Sequence, residues 1–368
     1  MELFLFVHFF FSLYPPTYTN FPNMTTFSKT NFKSLNYNSF RPHYPPSFYK
    51  ILADFVTKVE LPLPINLPID KTIDLGCGTG VATYPLLNIS TNVIGVDLSL
   101  KMIETANSLI ERNLQTLGIK NSTLTLRIKF ITGSVEEFVK QQQQQNKDHN
   151  IASTLEPNSI DLITAAQCIH WFQDYDSFFQ NCHQLLKNDT GVLAYFFYND
   201  PKIVGFLVPA REDIPKEEIL KLSYQVYNKY VYDDDNYIGQ YWEQPGRNIL
   251  KHFCQQVNEK IPRDLYTDIV INTFKPSIEK NNSGSTSIAN EEVDLDLKKI
   301  GISIQDYIDY ISTYSGFHNY KEVTGNDDLL TNEFVKELIE VTGWDLEKTK
   351  IDLVWNTGYT FIRKRKST

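Results

Sequence analysis

The amino-acid sequence predicts an α/β fold of the doubly wound kind, in which helices cover both faces of a mostly parallel sheet. Three observations support this prediction. Short apolar segments alternate along the chain with segments of helical spacing. A glycine-rich turn at residues 74–80 follows the first apolar segment, and Asp97 ends the next one. In doubly wound sheets such turns lie at the carboxyl ends of the strands, where ligands bind.

The glycine-rich turn has the sequence Asp74-Leu-Gly-Cys-Gly-Thr-Gly80. Residues 72–75 are predicted to end a buried strand, and residues 81–87 to begin a helix. Glycine lets the backbone approach a ligand closely and permits positive φ angles. A helix N-terminus behind the turn would add free N–H groups and a partial positive charge. Such a turn can also be purely structural, so other residues must identify its ligand.

The second apolar segment narrows the choice of ligand. It ends in Asp97, about twenty residues beyond the glycines, where an acid in a doubly wound sheet faces the ribose hydroxyls of a nucleoside. NAD is an alternative, but its fingerprint is G-x-G-x-x-G without a leading acid, whereas this turn is G-x-G-x-G led by Asp74. A carboxylate there repels a pyrophosphate and suits a ligand with an ammonium group and a sulfonium. The pattern therefore indicates S-adenosylmethionine.

The composition limits the classes of partner. The 368 residues are compatible with one large α/β unit carrying insertions, and their formal net charge is −9. Nucleic-acid-binding surfaces are normally basic, so we expect no nucleic-acid partner. The histidines show no zinc spacing, and no metal site is predicted. Four widely separated cysteines without C-x-x-C pairs indicate reduced thiols and a cytoplasmic location; they are Cys77, Cys168, Cys182 and Cys254.

Residues 1–26 are predicted to be an N-terminal extension outside the fold. Leu3 to Leu13 form an apolar run similar to a signal-peptide core, but Glu2 precedes it in place of a basic residue and no small-residue cleavage site follows. The run is too short to span a bilayer, so we expect no stable membrane insertion. Met24 begins a polar sequence that is typical of a natural N-terminus. This suggests that the chain as given starts at a codon upstream of the natural start. Membrane association is the alternative.

Residues 27–368 are predicted to form a single domain with seven strands. A cofactor-binding core is expected over 47–199, and an insertion rich in aromatics and helix formers over 200–265, above the carboxyl edge of the sheet. Polar low-complexity tracts at 140–156 and 276–298 are expected to be loops. Residues 304–314 have helical spacing, and the closing strand is expected within 350–363. The other strands are predicted to end at 75 and to occupy 92–97, 128–132, the segment 159–172, 191–198 and 268–274.

The motif at 74–80 together with Asp97 resembles the class I S-adenosylmethionine-dependent methyltransferases. The resemblance implies a Rossmann-like, seven-stranded sheet whose last strand is antiparallel and lies beside the fifth. It also implies that the glycine turn holds the amino acid part of the cofactor and Asp97 the ribose. The turn after the third strand would meet the adenine, and the end of the fourth strand the methyl group. The cofactor-binding residues implied are Asp74, Gly76, Cys77, Gly78, Gly80, Asp97, Leu98, Ser134, Val135 and Gln167.

Candidate substrate-binding residues lie in clusters that the cofactor does not need. Prolines stiffen the loop after Phe40, and a second cluster spans 239–247. An arginine fork matches a carboxylate in bidentate geometry, so Arg41 and Arg247 near one cleft predict an anionic small substrate. Either arginine could instead form a salt bridge or clamp the backbone, and the tryptophans could be core aromatics. The candidates are Arg41, Tyr44, Trp171, Tyr241, Arg247 and Trp355.

Five separated motifs, at 41–45, 170–172, 241–247, 310–318 and 354–357, resemble the fungal trans-aconitate methyltransferases. The resemblance runs from about residue 27 to 365. It implies an O-methyltransferase that esterifies one carboxylate of a small polycarboxylic acid such as trans-aconitate. A sister group in yeasts methylates a toxic small molecule, so a xenobiotic acceptor is an alternative. A lipid or quinone precursor, or a catalytically weak regulatory module that only binds the cofactor, are further alternatives.

The expected chemistry is an in-line displacement by a carboxylate oxygen on the sulfonium methyl. A carboxylate is already ionised at neutral pH, so no general base is required, and orientation could supply roughly 7 to 11 kcal/mol of the barrier reduction. His170 and Trp171 are expected to line the methyl-transfer site. With a neutral hydroxyl or amine acceptor His170 could act as a base, whereas with a carboxylate it would only form a hydrogen bond. The oligomeric state does not follow from the sequence.

Overall fold

The computed structural model describes residues 26, 29, 34–59, 67–119, 127–137, 139, 156–207, 210–233, 235–276 and 293–366. Residues 1–25 and the greater part of the two polar tracts predicted at 140–156 and 276–298 lie outside these ranges. Thr26, the last residue of the predicted extension, is buried at 1% exposure and contacts the rest of the fold. Within the described ranges, no helix has both the length and the apolar character needed to cross a membrane.

One mixed sheet of eight strands, counted over the described residues, forms the centre of the molecule. Its spatial order is β3-β2-β1-β4-β5-β8-β6, and β7 also pairs with β8. The first five strands run parallel to one another, whereas β8 runs antiparallel to β5, β6 and β7. The strands are β1 Ile69–Leu75, β2 Ser90–Asp97, β3 Ile128–Thr132, β4 Leu162–Ala166, β5 Val192–Leu207, β6 Tyr266–Phe274, β7 Lys298–Ser303 and β8 Lys350–Lys364.

This topology confirms the doubly wound α/β prediction and the antiparallel closing strand beside the fifth. The predicted count of seven strands was wrong, because β7 adds an eighth at the end of a tract expected to be a loop. The fifth strand also continues nine residues past its predicted end at Tyr198, to Leu207. Asn199-Asp200-Pro201 is typical of a turn, but here it forms a register shift in the ladder with β8. Proline is tolerated in strands at such bulges.

The helices surround this sheet and build the region between β5 and β6. A 3₁₀ turn over Ile169–Trp171 follows β4, and the helix α7 contacts it. The described α-helices are α1 Ser34–Phe40, α2 Pro46–Thr57, α3 Leu100–Ser108, α4 Ile110–Thr116, α5 Tyr175–Leu185, α6 Lys216–Tyr227, α7 Gly246–Lys251, α8 Gln255–Asn258, α9 Ile304–Ser312, α10 Ser315–Thr324 and α11 Val335–Thr342. A π-helical turn at Asn228–Tyr232 follows α6, and another at Leu330–Phe334 precedes α11.

The helix predicted directly after the glycine turn is absent from the described residues. Residues 81–83 form turns, and Tyr84–Asn88 form a 3₁₀ helix of five residues. Pro85 has no N–H and cannot donate to the carbonyl of Val81, so an α-helix cannot pass through this position undisturbed. The N-terminus of an α-helix, which was expected behind the glycine turn, is therefore replaced by a turn and a short 3₁₀ helix.

The hydrophobic core lies on both faces of the sheet, as β5 illustrates. Val192, Ala194 and Phe196 belong to one buried cluster, and the alternating residues from Leu193 to Phe197 belong to the other. A strand buried on both faces has a continuous apolar sequence rather than an alternating one. This burial holds the carboxyl ends of β1, β2 and β4 in register along one edge, where the predicted site residues lie.

Candidate functional site

The three glycines of the turn after β1 differ in what surrounds them. Gly76 has a φ angle of +61°, and a Cβ atom there would lie 2.6 Å from the Cβ atom of Cys168. Gly78 has a φ angle of +55° and faces open space, with no atom within 4 Å of the position of a Cβ. Gly76 is therefore required by packing. Gly78 leaves the room that a ligand needs to approach the backbone.

Asp74 lies inside the protein beneath this turn. It is 0% exposed, and its carboxylate accepts hydrogen bonds from Thr164 Oγ1 at 2.7 Å and Thr83 Oγ1 at 2.6 Å. Burial raises the pKa of Asp74 to about 6, although both hydrogen bonds act to lower it. The hydrogen bonds therefore tie Asp74, at the end of β1, to β4 and to the segment that follows the glycines.

Asp97, at the end of β2, holds the glycine turn directly. Its Oδ2 accepts from the N–H of Gly78 at 2.9 Å and its Oδ1 from the N–H of Ser99 at 2.8 Å. Burial raises the pKa of Asp97, and these bonds oppose the shift. A carboxylate offers about four lone-pair sites, so Asp97 retains acceptor capacity for ribose hydroxyls. Leu98, the next residue, is 61% exposed, which suits a side chain that covers a bound purine.

The turn after β3 adjoins Asp97. The N–H of Gly133 donates to the carbonyl of Asp97 at 3.0 Å. Ser134 and Glu137 cap each other's backbone N–H groups, and Val135 is buried at 1% exposure. The structure thus brings this turn beside Asp97, with Ser134 engaged in the local cap and Val135 packed into the core.

Gln167 connects the end of β4 to β5. Its side chain makes two hydrogen bonds with the backbone of Tyr198: Nε2 donates to the carbonyl at 2.9 Å, and Oε1 accepts from the N–H at 2.8 Å. Its φ angle is +55°, an uncommon conformation for a residue other than glycine that often marks functional sites. Gln167 lines the neighbouring cleft, while Cys168 touches Gly76. The cleft therefore begins beside the glycine turn.

Two cysteines lie under the turn without forming a disulfide. Cys77 and Cys168 are both buried and free, and the Cys168 thiol donates to the carbonyl of Leu75 at 3.0 Å. Burial raises the pKa of both thiols. They therefore remain protonated at neutral pH and act as small packing groups rather than nucleophiles.

The cleft next to Gln167 has a cavity volume of about 50 Å³ and is partly open to solvent. Its walls combine charged, aromatic and small polar side chains from the segments that follow β4 and β5, from the loop before α2 and from the start of α10. The lining residues are Arg41, Gln167, His170, Trp171, Trp242, Glu243, Arg247, Leu250 and Ser315.

Arg247, on α7, is almost fully buried in this wall. Its Nη2 forms an ion pair with Asp200 at 2.9 Å, and Nη1 donates to Asn199 at 3.4 Å. The guanidinium lies 4.3 Å from the centre of the Trp242 ring. Burial acts to lower the pKa of Arg247, but the Asp200 carboxylate outweighs it and raises the pKa above the ordinary value. Arg247 stays charged, and most of its charge is balanced by Asp200.

Arg41 reaches the same cleft from the loop before α2. It is 7% exposed and donates to the hydroxyl of Tyr198 at 3.3 Å and to the carbonyl of Thr313 at 3.0 Å. Its guanidinium also lies 5.4 Å from the ring centre of Tyr314. These contacts hold the Arg41 guanidinium in the wall of the cleft, where it contributes positive charge.

His170, in the middle of the 3₁₀ turn after β4, lines the same cleft as the two arginines. It is 4% exposed, and its Nδ1 has no hydrogen-bond partner among the described residues. Burial, reinforced by the charges of Arg247 and Arg41, lowers the pKa of His170 to about 3. His170 is therefore neutral at physiological pH and a weak base.

Three predicted substrate residues lie away from the cleft lining. Tyr44 packs edge-on against Phe196 at 4.8 Å between ring centres, and Tyr241 packs against Tyr320 at 5.3 Å. Trp355 is fully buried on β8, and its indole N–H donates to the hydroxyl of Tyr310 at 2.8 Å. That tyrosine in turn flanks Arg41, so Trp355 supports the cleft from behind.

Sequence reasoning did not select four residues that shape the cleft. Trp242 and Glu243 stood within the quoted cluster at 239–247, where an aromatic and an acid beside Arg247 were a usable signal. The sequence offered no such signal for Asp200 or Ser315. Asp200 lies in a segment typical of a turn, and serine is common at the start of a helix. Within the described ranges, no group of three His, Cys, Asp or Glu residues could hold a metal ion.

Comparisons with known proteins agree with this geometry. A family of methyltransferase domains matches residues 73–194, which run from β1 into β5. A Saccharomyces cerevisiae protein, CRG1, whose name assigns it to the S-adenosylmethionine-dependent methyltransferases, is 25% identical over 342 residues, covering 93% of this chain and 99% of its own. A malonyl-[acyl-carrier protein] O-methyltransferase from Bacteroides helcogenes is 30% identical over 150 residues, covering 40% of this chain and 48% of its own.

A solved structure shares the fold. A chain assigned as a type II methyltransferase from Anaeromyxobacter dehalogenans superimposes with a TM-score of 0.54 at 17% identity, covering 89% of this chain and all of that one. The matched domain contains the glycine turn, Asp97 and the β4 edge, and the room at Gly78 and the spare acceptor capacity of Asp97 fit the cofactor of such domains. The chain therefore carries a Rossmann-like class I methyltransferase domain whose cofactor is S-adenosylmethionine.

Proposed function

We propose that this protein is an O-methyltransferase that esterifies a carboxylate of a small polycarboxylic acid such as trans-aconitate. The observation that supports the proposal is the chemistry of the cleft beside the glycine turn. It is lined by two buried arginines and by a histidine whose pKa is lowered to about 3. Such a cleft favours an anionic acceptor that needs no proton removed.

The two arginines would bind different parts of the acceptor. Arg41 carries a charge held by hydrogen bonds to a hydroxyl and a carbonyl, so it can bind a non-reacting carboxylate. Arg247 is fixed by Asp200 and stacked on Trp242, and it contributes a rigid wall with less net charge. Trp171 and Trp242 would enclose the carbon chain of the acid.

The remaining residues act by position. When bound, S-adenosylmethionine supplies an electrophilic methyl group on its sulfonium. The chain has to hold an acceptor oxygen in line with that methyl, and orientation of this kind is worth roughly 7 to 11 kcal/mol. Neutral His170 can hydrogen-bond the acceptor without taking its proton. An acceptor that displaces water from the cleft would strengthen its electrostatic contacts with these walls.

The names of relatives bear on the reaction type. The Bacteroides helcogenes relative is named for O-methyl transfer to a malonyl group, which favours oxygen as the acceptor atom. Glu243 in the cleft favours a second candidate function, which is methylation of a toxic or xenobiotic hydroxyl compound. The Glu243 carboxylate could accept the proton that the acceptor hydroxyl loses. We also propose a cytoplasmic location, which the four free cysteines support.

The test of the proposed function is incubation of the purified protein with radiolabelled S-adenosylmethionine and a panel of di- and tricarboxylic acids. The readout is base-labile methyl ester, with neutral phenols and alcohols as the comparison panel. Ester on acids and none on the neutral compounds is expected. Label only on neutral acceptors, or on none while the protein still binds S-adenosylhomocysteine, would overturn the carboxylate assignment.

A further inference from the structure

The charged residues at the cleft nearly cancel one another. Arg41 and Arg247 contribute positive charge, and Glu243 lines the same cleft with a negative charge. The fourth charge is Asp200, 2.9 Å from Arg247, and both side chains of this ion pair are at most 4% exposed. Two positive and two negative formal charges therefore surround the acceptor, although the arginines alone suggested a polyanion site.

Asp200 is built into this arrangement. Its Oδ1 accepts from Arg247 and from the hydroxyl of Tyr227 at 2.5 Å, whereas its Oδ2 is buried without a partner among the described residues. The bulge in β5 at Asn199 and Asp200 brings both residues to Arg247. A carboxylate this close to the guanidinium cancels much of the attraction that Arg247 would exert on an incoming anion.

Glu243 has no such counterion among the residues that the structure describes. Its Oε1 accepts from the N–H of Thr26 at 2.8 Å and also from the Thr26 hydroxyl. Both donors are neutral, so they orient the carboxylate without removing its charge. An acceptor carboxylate placed on this side of the cleft would meet a like charge, while one placed beside Arg41 would meet an opposite charge.

From this balance we infer that Asp200 and Glu243 are specificity-determining residues that limit the negative charge of the acceptor. The cleft selects an acid with a reacting carboxylate, one further carboxylate for Arg41 and an uncharged polar third group such as an amide or hydroxyl. A tricarboxylate is accepted less well. The inference rests on the proposed function and narrows its acceptor class. In a partly buried site, a like charge about 10 Å from a carboxylate of the acceptor should lower kcat/KM ~10-fold.

The experiment compares trans-aconitate with each of its three monoamides, which have nearly the same shape but one charge fewer. The enzyme variants are wild type, Glu243→Gln and Asp200→Asn. Glu340→Gln is the matched control, because it removes one charge at an exposed residue that does not line the cleft. The readout is the ratio of kcat/KM for the best monoamide to that for the tricarboxylate. Affinity for S-adenosylhomocysteine and the melting temperature report on folding.

We expect the wild-type ratio to be ~10 or more, and to fall ~10-fold in Glu243→Gln and in Asp200→Asn but not in Glu340→Gln. An unchanged ratio in Glu243→Gln overturns the inference, even if Asp200→Asn fails to fold. So does a loss of kcat beyond ~100-fold on every acid at constant KM, which would make Glu243 a participant in proton transfer. If wild type methylates no acid while S-adenosylhomocysteine binds normally, the proposed function itself is wrong.

Discussion

Replacing Gly78 by alanine should separate cofactor binding from folding. The added methyl group would enter open space, so it would clash with nothing in the protein itself. The φ angle of +55° is left-handed, and such a conformation costs an alanine about 1–2 kcal/mol. Part of this cost is offset because alanine has fewer conformations than glycine in the unfolded chain, by about 0.4–1 kcal/mol. We therefore expect the free energy of unfolding to fall by only ~1 kcal/mol.

Gly118 provides a matched control. It has a φ angle of +69°, also faces open space, and lies after α4 outside the cofactor turn. Gly118→Ala should cost the same stability and leave the cofactor site intact. In Gly78→Ala the methyl group would occupy the open space that we propose for the cofactor, so we expect affinity for S-adenosylhomocysteine to fall at least ~10-fold, or about 1.4 kcal/mol. Urea unfolding and titration calorimetry measure the two quantities. Equal affinities in the two variants would refute this reading of Gly78.

Three further predictions concern buried polar groups. The pKa of His170 is about 3, below the value of 6.5 expected in the unfolded chain, so the free energy of unfolding should fall as the pH drops below 6.5. His170→Asn should flatten this decline, which amounts to at most ~1.4 kcal/mol per pH unit, and an unchanged acid limb in urea titrations would contradict it. Thr164→Val removes a hydrogen bond to Asp74, which should cost about 1–3 kcal/mol of stability and raise the pKa of that carboxyl above about 6 in an NMR titration; a stability loss well under 1 kcal/mol would argue against it. Arg247→Gln leaves Asp200 buried without its counterion and should cost about 3–5 kcal/mol, most of which the double variant with Asp200→Asn should recover; a purely additive double variant would show that the pair is not coupled.

The sequence predicted the regular parts of the sheet because burial leaves a local trace. β2 and β4 are short apolar runs, and the predicted bounds of β2 and the predicted start of β4 lie within a few residues of those observed. β7 was missed because its six residues alternate weakly beside a polar tract and pair only with the distant β8. The prediction of a helix after the glycine turn was wrong because it followed the apolar spacing and gave too little weight to Pro85, which interrupts an α-helix.

The site illustrates the same limit. The glycine turn and Asp97 are contiguous signals, and their neighbourhood in space follows from two adjacent parallel strands. The cleft instead joins Arg41, His170 and Arg247 from segments far apart in the chain. Asp200 reaches Arg247 because of a bulge in β5. No local sequence pattern predicts which residue will pair with a buried charge. Tryptophan is a residue type that often binds ligands, but Trp355 lies on the central strand β8, where it supports the cleft through Tyr310.

The position of β8 has a consequence for how the protein reaches its native state. This strand fills the gap between β5 and β6, and its Arg363 pairs with Val192, so the sheet closes only when segments distant in sequence meet. Such non-local pairing is slow, because loop-closure entropy must be overcome first. Until it occurs, β5 offers a free edge of 16 residues, most of them apolar. Uncovered edges recruit other chains, so the interval before β8 docks is when the protein is most exposed to aggregation and most dependent on chaperones.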